Sequence, residues 1–409
     1  MVNMKKQLQL SLLANWAGGS LSIASTLIWI VFAAACVADD PVDASTSDAD
    51  IQKLIQQLAS KSFLTREQAM QSLFELGATA ESALGKAASG SDREVRRRSK
   101  RVLDAIQLRR RESVLAAFKS GTLSANEEQE LPGWKLFSEK YSASPAAREI
   151  YAKMLESEWQ LLSDFFVRAK DQPAAILRVL ASHRFQQLQR SRIGYNSYPV
   201  GTMLTFFFLA GEAPESFDQH TQLYTFVRHR LMTPLMGNID NNELAITESK
   251  VVRKLVGNWI VSASGTHFND RLALQTTLQY RLDKEAGMVA ERVLTDENSL
   301  PISISMAMQS VAIRKDKSQL KLIEPYLKDK TRLNATGQRE RQLRDIALPC
   351  AMLLYGFDVE QIGVKSVKNA TNTAFDYNTI GFISEQDRKK AFEKFEELLK
   401  ARRKAEASK

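Results

Sequence analysis

The chain is poor in the residues that build most compact chemical sites. Its 409 residues include two cysteines and four histidines. That is too few for a disulfide scaffold or a Cys-rich zinc site, and too scattered for a His-based metal centre. The phosphate cradle Gly-x-x-x-x-Gly-Lys-Ser/Thr is missing, because Gly85-Lys86 is followed by Ala87 and Ala80 stands five residues before Gly85. Gly-x-Ser-x-Gly, His-Glu-x-x-His and Gly-x-Gly-x-x-Gly do not occur either. Ser318-Gln319-Leu320-Lys321 matches Ser-x-x-Lys but lacks the companion motifs that give that pattern its chemistry. His220 and His229, nine residues apart, would point about 180° apart on one helix and cannot share a metal there. His267 beside Asp270 is the one triad-like cluster, and no nucleophile stands near it. These absences lead to an expectation of no catalytic residues, no metal and no cofactor.

What the chain does have is apolar residues in helical periodicity. Hydrophobic residues make up 44% of the sequence, enough for a substantial core. They recur at three- and four-residue spacing, while strand-like alternation is scarce. Lys5 and Lys6 precede an uncharged, apolar stretch that runs to small residues before Asp39. A basic start, an apolar run and an Ala-x-Ala-like site make 1–38 a signal peptide. The alternatives are a retained membrane anchor and lipidation at Cys36, which follows Ala33-Ala34-Ala35. Residues 39–50, with five aspartates among small and polar residues, read as an acidic flexible tether. Cys350 lies in an apolar helical run and reads as a buried, inert thiol. The apolar stretch 200–210 is too short to span a bilayer and reads as a central core helix.

From Ile51 onward, Ile51, Leu54, Ile55 and Leu58 share one helix face, and Thr65 is expected to cap the next helix. Gly77 stops that helix, a third short helix follows, and Ser91 or Asp92 caps a fourth. Two helix pairs within about sixty residues, each too small to bury its own apolar face, indicate a stacked repeat. Leu64-Thr65-Arg66-Glu67-Gln68-Ala69, then Leu73, Leu76 and Gly77, then Asp92-Arg93-Glu94-Val95-Arg96, resemble the HEAT-like repeats of secreted bacterial repeat proteins. A second such element is similar at Leu343-Arg344-Asp345-Ile346-Ala347. The resemblance implies an all-α, helical-repeat solenoid (an α-α superhelix). In it Asp92, Arg96, Arg344 and Asp345 would form ladders between successive repeats. The chain then divides into repeats at 51–120, a connecting segment at 121–145, degenerate helical repeats at 146–383 and a C-terminal basic capping helix at 384–409. A helix is expected over 339–355.

Charge is concentrated. The formal net charge is +9, and residues 93–111 alone, with nine basic and two acidic side chains, net +7. On a helix Arg93, Arg97, Lys100, Arg101 and Arg111 fall opposite Val95, Val102, Leu103 and Ile106. Such a face attracts polyanions: acidic polymers or anionic lipid headgroups. Nucleic acid is disfavoured for an exported chain. The expected function is an exported, non-catalytic scaffold with a protein partner in the cell envelope. One alternative is an envelope protein that binds anionic polymer or lipid through 93–111, and another is an enzyme with its site in the solenoid groove.

Overall fold

The computed structural model describes residues 47–168, 179, 182–187, 198–214, 217, 220–228, 232–237, 243–263, 267–336, 339–367 and 374–407. The leader 1–38, Cys36, most of the acidic tether and His229 lie outside the described residues. The fold is all-α, with one short hairpin, and divides into two compact units, residues 1–108 and 109–409. Among the described residues no helix is long and apolar enough to cross a membrane.

In the first unit, short polar side chains start the helices. Ser47 accepts from the Asp50 N–H while Asp50 takes the Ser47 N–H, both at 3.3 Å. This capping box starts α1 (Asp48–Gln57) inside the acidic segment rather than after it. Helix α2 (Phe63–Leu76) is capped by Ser62, which accepts from Thr65 N. The cap thus falls three residues before the expected Thr65, whose own N–H is the one satisfied. Gly77, at φ +57°, ends α2 and leads straight into α3 (Ala78–Ala87). Asp92 Oδ1 accepts from the N–H groups of Glu94 and Val95 at 2.8 and 3.0 Å, and so starts α4 (Arg93–Ser120). Ile51, Ile55, Leu58, Ala69, Leu73, Leu84, Val102 and Ile106 close one core. From α1 to α3, and from α2 to α4, the starting positions differ by 30 residues in each case.

The second unit is built around aromatic residues. The segment expected to be a connector, 121–145, instead forms α5 (Ala125–Glu130) and α6 (Trp134–Lys140). Its Gly and Pro make turns: Gly133 takes φ +79° ahead of α6. Its aromatics are buried, Trp134 against Phe118 and Tyr151, Phe137 against Tyr151, and Tyr141 against Phe137 and Phe208. Helix α7 (Pro145–Ser163), capped by Ser144, packs on α8 (Val200–Glu212), whose residues from Gly201 to Gly211 are all buried. Pairing of these two depends on Gly201, since a Cβ there would lie 1.8 Å from the Lys153 carbonyl oxygen.

Next come α9 (His220–Val227), α10 (Met232–Gly237), α11 (Glu243–Ser262), α12 (His267–Gln279), α13 (Asp283–Thr295) and α14 (Pro301–Arg314). Each packs on helices close to it in the chain: α11 on α8 and α10, α13 on α12 and α14. After the short α15 (Leu320–Ile323), strands β1 (Arg332–Thr336) and β2 (Arg339–Gln342) form an antiparallel hairpin. Residues 339–342, expected as helix, are therefore strand. Two causes act together: β1 pairs with these residues, and Gln342 and Asp345 make a capping box that starts α16 (Leu343–Tyr355) only after β2. Ser384 caps α17 (Glu385–Ala407), accepting from Asp387 N at 3.1 Å. Ala391, Phe395 and Leu399 of α17 are buried.

Candidate functional site

In the first unit α4 is two-faced. Val95, Ser99, Val102, Leu103 and Ile106 turn toward the core, and Arg93, Arg97, Lys100 and Arg101 are exposed on the other side. At 100° per residue these four cations span an arc of about 100°. Arg97 lies 3.3 Å from Glu94, but its side chain is 74% exposed, so the pair is worth little. Arg93, Lys100 and Arg101 have no partner among the described residues. Arg98 points elsewhere: it donates to Glu94 at 2.7 Å and to Glu67 of α2 at 3.3 Å, and rests on the Met70 sulfur. That guanidinium, with Arg97 adding to it, holds the Glu94 carboxyl below the usual glutamate range.

Arg111, counted with this face in the sequence, belongs to the second unit and is half-buried, its guanidinium 5.6 Å from the centre of the Trp159 ring. An aromatic on α7, invisible to local spacing, takes it up as a cation–π partner.

The expected ladder residues have local roles. Asp92 caps α4. Arg96 donates to the carbonyls of Gly90 and Ser91 at 2.9 and 3.5 Å, closing the loop before its own helix. Arg66 does the same one pair earlier, donating to Ser60 and Lys61 at 2.7 and 3.0 Å. The cap-x-x-x-Arg element thus recurs at 62–66 and 92–96. This recurrence was readable as the 30-residue offset between Ser62-x-x-Thr65-Arg66 and Asp92-x-x-Val95-Arg96. The side-chain link from pair to pair is Glu67 with Arg98, which sequence reasoning missed.

In the second unit Asp345 is buried and accepts from Arg388 Nε at 2.8 Å and Nη2 at 3.1 Å, besides the Gln342 N–H at 2.9 Å. Arg388 also pairs with Glu385, and Arg344 donates to Gln342 and Glu385 at 2.6 and 2.9 Å. Both predicted ladder residues here fasten α17 to the start of α16. Burial pushes the Asp345 carboxyl above its usual range, against the pull of Arg388. Burial works to lower the Arg388 guanidinium, but Asp345 and Glu385 prevail and raise it.

Nearby lies a cavity of about 300 Å³ lined by Arg339, Ile362, Phe382, Ile383, Asp387 and Lys390, among others. Two of its polar side chains are already used: Arg339 donates to the carbonyls of Thr379 and Gly381, and Asp387 accepts from Ser384. Asp270, the acid of the triad-like cluster, is buried against Arg292 at 2.8 Å, while the side chain of His267 lies outside the described residues. His220 sits between Trp259, which donates to Nδ1 at 3.1 Å, and the Pro214 carbonyl, 2.9 Å from Nε2. Cys350 is fully buried, which pushes its thiol well above the usual range. The loop hydroxyl Ser318 donates to Asp316 at 2.6 Å. Among the described residues no three His, Cys, Asp or Glu side chains gather as metal ligands would.

In comparison with known proteins, no family model, curated protein or solved structure matches this chain.

Proposed function

We propose that this chain is an exported, non-catalytic helical-repeat scaffold of the HEAT-like type, an α-α superhelix that holds other proteins in the cell envelope. The observation that carries the reading is the 30-residue register of the first unit. Two helix pairs start at the same offsets, use the same cap-x-x-x-Arg loop closure and share one core. Modules of this kind contact their neighbours and leave long side faces free for partners. In the second unit, helices packing on others near in sequence, as α12, α13 and α14 do, support the same reading. Export rests on the pattern of 1–38.

The test is affinity isolation of the tagged full chain from cross-linked envelope fractions. A protein recovered in stoichiometric amount is the expected result. Recovery of the chain from the cytosol, or without any stoichiometric protein, refutes the proposal.

A further inference from the structure

The first helix pair can be set beside the second residue by residue. In the 30-residue register, Arg93, Arg97, Lys100 and Arg101 of α4 correspond to Phe63, Glu67, Met70 and Gln71 of α2. One helix position in the repeat therefore carries a formal charge of −1 in α2 and +4 in α4. Glu67 and Met70 are half-buried against Arg98 of α4, whereas the four cations of α4 are all exposed, so packing within the unit does not use them. Their proximity is unfavourable in itself, because Arg97 stands four residues from Arg93 and Arg101 and three from Lys100, spacings at which like charges repel. Of the nine basic residues in 93–111, Arg96 and Arg98 are drawn into loop closure and pair-to-pair contact and Arg111 onto Trp159, while these four remain in solvent.

We propose that this face of α4 docks an acidic, extended segment of a partner protein. The inference rests on the scaffold reading and names the chemistry of what is held. At 1.5 Å rise per residue, Arg93, Arg97 and the adjacent Lys100 and Arg101 form three levels about 5–6 Å apart along the helix. Alternate side chains of an extended peptide recur at about 6.6–6.8 Å, so three acidic residues at every second position can meet these three levels in turn. Four cations are fewer than the six to ten phosphate contacts typical of strongly salt-dependent nucleic-acid binding, which favours a short acidic peptide over a nucleic-acid strand.

The experiment uses the full chain and a fluorescein-labelled decaglutamate peptide in about 150 mM salt, where exposed charges are largely screened beyond roughly 8 Å. One variant is R97E/K100M/R101Q, which installs the residues that α2 carries at these positions. A second, K390Q/K394Q/K400Q, removes three positive charges from α17 instead. Circular dichroism establishes that both are folded. The first variant is expected to weaken decaglutamate binding roughly tenfold or more and to flatten its salt dependence, and the second to leave binding within twofold. Equal loss in both variants, or no loss in the first, overturns the proposal. So does binding of a single-stranded oligonucleotide or of anionic phospholipid vesicles that the first variant abolishes while decaglutamate fails to bind. If decaglutamate fails here and affinity isolation still recovers a protein, this docking face is refuted and the scaffold reading stands.

Discussion

Replacing Arg388 by Met tests the most deeply buried charge pair in the second unit. Its side chain is 2% exposed and that of Asp345 is fully buried. Met keeps most of the aliphatic length packed near the Phe382 ring but deletes the two bonds to Asp345 and those to Glu385. Asp345 then retains only the Gln342 N–H. Breaking a buried pair by removing one partner costs about 3–5 kcal/mol, because a buried charge is left uncompensated. The loss should fall on the attachment of α17, since the Arg388–Asp345 pair is the buried one of the two links, with Arg344–Glu385, that fasten that helix to the start of α16. At about 1.4 kcal/mol per decade, amide exchange in α17 should accelerate by roughly two to three and a half orders of magnitude. Hydrogen exchange resolved by peptide mass, comparing 385–407 with the core of α8, is the assay. The double variant D345N/R388M should recover much of the loss, because no carboxylate is then stranded. Without Arg388 the Asp345 carboxyl rises further above its unfolded value. The native state then holds its proton more tightly, so the deficit of R388M grows as pH rises through that carboxyl's pKa and shrinks as pH falls. Unchanged α17 exchange in R388M, or a double variant as damaged as the single, would refute this account.

Three further predictions follow from packing. Gly201→Ala should cost about 3 kcal/mol, lowering Tm by roughly 5–10 °C, because the clash is with the backbone carbonyl of Lys153. Gly211→Ala should cost less, since its nearest obstacle is the movable Asn258 amide at 2.6 Å; a larger Tm drop for Gly211→Ala would contradict this. The buried, high-pKa thiol of Cys350 should resist iodoacetamide in the native chain and react once urea unfolds it. Peptide mapping of native, labelled protein would expose the error if Cys350 were modified. Duplicating residues 63–92, one full register, should yield a folded chain with an unchanged or higher Tm, whereas a 25-residue duplication should lower it. Equal Tm values for the two insertions would count against the repeat.

Much of the first unit was legible in the sequence because its determinants are local. The Ile51–Leu58 stripe, Gly77 as a stop and Asp92 as a cap depend on residues within a turn or two of one another. The α8 core helix and the C-terminal helix were legible for the same reason. Where the reading failed, a distant partner intervened or the segment carried two signals. The stretch 121–145 reads as linker from its Gly and Pro, yet Trp134 and Phe137 find Phe118 and Tyr151 on the flanking helices, and Tyr141 finds Phe208 far along the chain. Residues 339–342 fit a helix until β1 offers them a strand partner.

The candidate face divides the same way. By itself the sequence determined that α4 would be amphipathic and where its positive charge would gather, because helical geometry assigns directions from spacing alone. Only the tertiary structure decided which of those charges are consumed. Arg98 is taken by Glu67, Arg96 by loop carbonyls and Arg111 by Trp159, while Arg93, Lys100 and Arg101 stay in solvent. Asp345 and Arg388, 43 residues apart, meet in the same manner, as a buried clamp on the last helix. A guanidinium's partner depends on which surfaces come within a few ångströms of it, and that distance is set by the packing of whole helices.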